Sequence, residues 1–199
     1  MFFFLTLYMQ NGLGYSPIQA GAAYIPLTFA VAIAAVVSSQ LISRVGTRPV
    51  SIVGALIAAG GMYWLSHIPV DGCFLTDLLP GTLVVAIGGG AVFVAVTTAA
   101  NAGVPADKAG LAASLLNASQ QVGGALGLAI LTAIATSHTN ALLAAHTAPA
   151  HALTAGFQRA LLVGSIFILA AAVIALRATN TRGQEAQPSA NVVPEPTRA

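Results

Sequence analysis

The residues best suited to chemistry in this 199-residue chain are amides and hydroxyls at helical spacing. Ser114, Asn117 and Gln121 recur three and four residues apart, so on a helix they form one polar face. They sit inside an apolar run from about Leu111 to Ala135. Amides turned toward hydrocarbon are costly, so this face must look at other helices or at a water-filled cavity. There it could line the path of a passing solute. It could equally tie helix to helix, at about 1 kcal/mol per hydrogen bond. Gln120 is offset from the stripe and fits a structural role. Gly123, Gly124 and Gly127 follow, and Gly123 with Gly127 makes the GxxxG spacing of closely packed membrane helices. Tyr8, Gln10 and Tyr24 fall near the outer ends of apolar runs. Aromatic belts are normal there, and these three are further candidates for a solute contact.

Other chemistries find little support. No Ser-His, Asp-Asp or His-Glu constellation lies in the apolar runs, so an enzyme is not expected. Gly88, Gly89 and Gly90 lack the Lys-Ser/Thr that follows a phosphate loop. They read instead as a flexible or close-packed point of a helix. His138, His146 and His151 fall in a polar stretch, 137–155, that reads as one external loop; their spacing matches no zinc motif. Cys73 is the single cysteine, so no internal disulfide is possible. No metal or cofactor is expected.

The elements that must position these residues follow from composition. The chain is 57% hydrophobic and 6% charged, against about 25% charged in a soluble domain. It cannot clothe a water-facing surface, so its solvent is the lipid bilayer. The apolar runs predict an all-α membrane protein with spans at about 1–13, 20–42, 50–66, 78–100, 111–135 and 157–176. Residues 1–177 then form one bundle, and 178–199 a disordered tail too polar to bury a core. Ser16-Pro17 suits a helix start. Pro26 falls inside the second span, where neighbouring helices would have to satisfy the freed carbonyl. The first run supplies roughly 15 Å of helix against a hydrocarbon core of about 30 Å. It is expected to be the outer half of a truncated helix.

The seven basic residues do not cluster, which argues against a nucleic-acid partner. Arg44, Arg48, Lys108, Arg177, Arg182 and Arg198 fall on one side of alternating spans. That side is expected to be the cytoplasm, with the C-terminus in it. The opposite loops hold Asp71 and Asp77, and Arg159 at the start of the sixth run.

Residues 39–48, ending in Ser43-Arg44-Val45-Gly46-Thr47-Arg48, resemble a cytoplasmic loop of the major facilitator superfamily. There the pattern is Gly-x-Leu-Ala-Asp-Arg-x-Gly-Arg-Lys. Leu41, Arg44, Gly46 and the basic Arg48 match, while Ser39 replaces the Gly and Ser43 the Asp. Residues 5–26, 71–81 and 103–127 resemble, in order, the ninth-to-tenth helix junction, the twelfth-helix entry and the thirteenth helix of the fourteen-span drug:proton antiporters. The resemblance implies a six-helix bundle, the C-terminal half of a major facilitator fold covering helices nine to fourteen. It further implies plasma-membrane efflux of lipophilic or cationic small molecules by alternating access, with a proton as coupling ion and a missing N-terminal half as partner. No acidic or basic residue sits mid-span, so this part is not expected to couple transport to protons alone. The competing expectation is a non-transporting membrane remnant or interaction subunit.

Overall fold

The computed structural model describes residues 2–12, 14–70 and 72–182. Asp71, Arg198 and most of the expected tail therefore lie outside the described residues. The fold is all-helical, with no strand among the described residues. Helix α1, Phe2–Leu7, runs into a π-helical turn, Tyr8–Gly12. Then come α2, Pro17–Ala22, and α3, Ile25–Val45. Next are α4, Thr47–Leu65, and α5, Leu79–Asn101, the latter entered through a π-helical turn, Phe74–Leu78. Finally come α6, Ala109–Ala144, and α7, Pro149–Ala175. Five stretches are long and apolar enough to cross a membrane: Pro17–Val45, Thr47–Leu65, Phe74–Asn101, Ala109–Ala144 and Pro149–Ala175.

The expected start at Ser16-Pro17 forms as a capping box. Ser16 Oγ accepts from Gln19 N (3.3 Å), and Gln19 Oε1 accepts from Ser16 N (2.9 Å). Pro26 is not in a helix interior. It occupies the first turn of α3, after a break at Ala23 and Tyr24, where the ladder of α3 does not call on its missing N–H.

The external loop expected over 137–155 is mostly helix. Alanines dominate it and no breaker precedes Pro149, so α6 continues to Ala144 and α7 begins at Pro149. The connection closes with His146 in the left-handed region (φ 60°). Thr147 N donates to Leu142 O and His146 N to Leu143 O, both at 3.0 Å, which satisfies the last carbonyls of α6. His138 and His151 consequently belong to different helices, and Arg159 lies well inside α7 rather than at its start.

Small residues set the packing order, which runs α3, α5, α4, α7, α6. Gly88 of α5 lies against the backbone of Gly54 and Ala58 on α4, and Gly90 faces Ala34 and Val31 of α3. The glycine triplet is thus where α5 is pressed between two neighbours. On the other side of α4, Met62 packs on Gly164 of α7. Gly156 of α7 in turn meets Ala135 and Thr139 of α6. At one end of the bundle Leu5, Met9, Leu65, Leu78 and Leu161 close a common core.

The segment after α7 departs from the expected tail. Thr47 N donates to Thr181 O (2.8 Å), and the two threonine hydroxyls lie 3.0 Å apart. Arg48 N donates to Asn180 Oδ1 (3.1 Å), while Asn180 Nδ2 donates to Val45 O (3.2 Å). Residues 180 and 181 are therefore bound to the α3–α4 turn.

Candidate functional site

The polar stripe lies on the N-terminal half of α6. That helix has three buried residues, Leu131, Ala135 and Thr139, all in its C-terminal half where it meets α7. Ser114, Asn117, Gln120 and Gln121 are exposed. Ser114 Oγ donates to Gly110 O, so its own hydrogen is used within the helix. Asn117 and Gln121 make no side-chain hydrogen bond among the described residues, and both amides are open. Leu111, Leu115, Val122 and Leu126 form a neighbouring face, about a third of a turn round the helix, and are also exposed. This half of α6 thus has a hydrocarbon face and an amide face. The amide face can donate to and accept from a solute, but it carries no charge and no acid or base.

Gly123, Gly124 and Gly127, expected to pack helices, face open space: a Cβ on any of them would meet no atom within 4 Å. No close helix contact forms there among the described residues, and the buried residues of α6 begin only at Leu131. The close contacts fall instead on Gly54 with Gly88, and on Gly61 with Gly81. These lie seven residues apart on α4 and α5, a two-turn spacing present in the sequence.

The outer candidates take anchoring positions. Tyr8 is buried, and its hydroxyl donates to Pro69 O (2.6 Å). Tyr24 is half-buried; its hydroxyl lies 2.8 Å from Thr6 Oγ1 and donates to Phe2 O (3.2 Å). Both tyrosines hold α1 in place, and neither is gathered with the α6 stripe. Gln10 lies half-buried on the π-helical turn.

In the turn between α3 and α4, Arg44 and Arg48 are exposed and Gly46 is buried. Gly46 adopts φ 93° and ψ 173°, a conformation that glycine alone takes readily. Asn180, Thr181 and Gln158 escaped the sequence reading. Gln158 Nε2 donates to Ile68 O (2.7 Å), tying α7 to the end of α4. A lone amide in an apolar run was the available signal for Gln158; a contact across more than 130 residues leaves none for Asn180. No group of histidines, cysteines and carboxylates able to hold a metal ion occurs among the described residues.

A family model described as Major Facilitator Superfamily matches residues 1–128. The chain is 37% identical to the puromycin resistance protein pur8 of Streptomyces alboniger, over 98% of this chain and 40% of that protein. It is 36% identical to the cephamycin export protein CmcT of Amycolatopsis lactamdurans, over 82% of this chain and 34% of that protein. To the lincomycin resistance protein of Streptomyces lincolnensis it is 32% identical, over 68% of this chain and 28% of that protein. The chain thus spans well under half the length of these relatives.

Proposed function

Because the chain belongs to the Major Facilitator Superfamily, a family of transporters and not of enzymes, we propose that it forms one half of a secondary active transporter that exports lipophilic or cationic small molecules by alternating access. The observation that carries this reading is the open amide face of Asn117 and Gln121 on α6. In a bilayer that face needs a cavity or a second set of helices, and a half-transporter facing its partner half supplies both. The names of its relatives, two resistance proteins and one export protein, favour outward movement of antibiotic-like compounds.

Protons drive the cycle in this reading. Among the described residues no carboxylate lies in the central turns of a long helix: Asp77 and Asp107 sit in the short turns before α5 and α6. The coupling carboxylates then belong to the partner half. The α3–α4 turn with Arg44 and Arg48, and the chain beyond Arg177, face the cytoplasm of the plasma membrane by the basic-residue rule.

The open Gly123, Gly124 and Gly127 favour one second reading, a non-transporting membrane subunit that only packs against other helices. One experiment separates the two. The chain is expressed alone, and together with the preceding helices of the puromycin resistance relative, and dye efflux is followed with and without a protonophore. Protonophore-sensitive efflux in the pair, lost when Asn117 and Gln121 are both alanine, supports the transporter. Efflux in neither case, with both parts present in the membrane, supports the subunit.

A further inference from the structure

Helix α4 presents a continuous outward stripe at helical spacing. Val53, Leu56 and Ile57 are exposed along it. Gly60 follows as a notch, since a Cβ there would meet nothing within 4 Å. At the end of the stripe stand Tyr63 (55% exposed), Trp64 (59% exposed) and His67. These residues, with Pro69 and the Asp77 carboxylate across from them, line a cavity of about 330 Å³.

The polar groups of this cavity are oriented. The His67 ring lies edge-on to Tyr63, with centroids 4.8 Å apart. Its Nδ1 is held 3.0 Å from Tyr63 O and 3.1 Å from Ser66 Oγ. Asp77 Oδ2 accepts from Cys73 N (2.7 Å) and from Thr76 Oγ1 (3.1 Å). Oδ1 takes no hydrogen bond, and no cation is paired with Asp77, among the described residues. An aromatic wall beside an unpaired carboxylate, at the end of an apolar track, matches a molecule with an ammonium group and a hydrocarbon tail.

We propose that this cavity seats the headgroup of a zwitterionic lipid. Its ammonium faces Asp77 and the rings of Trp64 and Tyr63, and its acyl chain runs along Gly60, Ile57 and Val53. Charge complementarity selects the occupant: an anionic headgroup would meet Asp77 with like charge, whereas an ammonium gains both the carboxylate and the ring faces. The Gly60 notch lets the first methylenes lie close to the helix. The site stands on the outer face of α4, away from the amide stripe of α6, and does not depend on the transport reading.

Trp64 is the single tryptophan, so its fluorescence reports this site alone. The full chain is reconstituted in vesicles in which brominated-chain phosphatidylcholine competes with plain phosphatidylglycerol, and in the reverse pair. The quenching gives the relative binding of the two lipids at Trp64. The expected result is a preference for phosphatidylcholine of roughly three- to tenfold. Asp77→Asn should bring the ratio close to one, and Tyr63→Ala should lower it, each at unchanged helicity by circular dichroism. A ratio of one in the native chain overturns the proposal, as does a preference that survives both substitutions.

Discussion

Asn180 lies directly over Gly46, its side chain occupying the space that a Cβ on that glycine would need. The amide donates to Val45 O and accepts from Arg48 N, so one side chain bridges the carbonyl before the turn and the N–H after it. Helix α4 begins at Thr47, where its first N–H groups lack partners inside the helix. Asn180 and Thr181 satisfy two of them from the far end of the chain. The turn that carries Arg44 and Arg48 is therefore held by the segment leaving α7.

Gly46→Ala should destabilise the fold. The added methyl strains a backbone at φ 93° and displaces Asn180. Strain of this kind costs about 1–3 kcal/mol. Thermal unfolding in detergent, followed by circular dichroism, should show a lowered midpoint; an unchanged midpoint would refute the contact.

Asn180→Ala should act locally. It removes two hydrogen bonds and leaves the helices themselves untouched. At about 1 kcal/mol for each, amide exchange at Arg48 should quicken while exchange in the middle of α5 stays constant.

Gly88→Ala and Gly89→Ala should differ sharply although the residues are neighbours. A Cβ on Gly88 runs into the backbone of Gly54 and Ala58, whereas one on Gly89 meets nothing within 4 Å. Backbone cannot yield as a flexible side chain can, so Gly88→Ala should cost about 1–3 kcal/mol or more. Gly89→Ala should be neutral or slightly stabilising. Comparable folded yields for the two variants would contradict the α4–α5 interface.

Asn117→Ala and Gln121→Ala should leave the isolated chain as stable as before, because both amides are exposed and unpartnered among the described residues. With the partner half present, each should reduce dye efflux by roughly fivefold, the equivalent of about one hydrogen bond of 1 kcal/mol. Unaltered efflux in both would remove the stripe from the transport path.

Gly124→Leu supplies the complementary measurement. Open space around Gly124 predicts a change within about 0.5 kcal/mol for the chain alone. Loss of assembly or of efflux with the partner half would then locate the face that the partner covers.

Much of this fold is legible in the residues. The apolar runs mark the long helices because a bilayer tolerates little else, and Ser16-Pro17 marks a helix start because its atoms supply a cap locally. The Ser114–Asn117–Gln121 stripe follows from periodicity alone. The stretch 137–155 misled because scattered histidines and threonines look like a loop. An alanine-rich helix longer than the bilayer leaves His146 and His151 exposed and buries Thr139 and Thr154.

By itself, the sequence determined the membrane-helix character of the chain and the existence of one amide face. Both depend on interactions within a few residues or with solvent. Only the tertiary structure decided which glycines are contact points, that Gly123, Gly124 and Gly127 stand open, that Tyr8 and Tyr24 anchor α1, and that Asn180 closes over Gly46. Each of these depends on which helix lies opposite, and a periodic pattern specifies a face without specifying its neighbour.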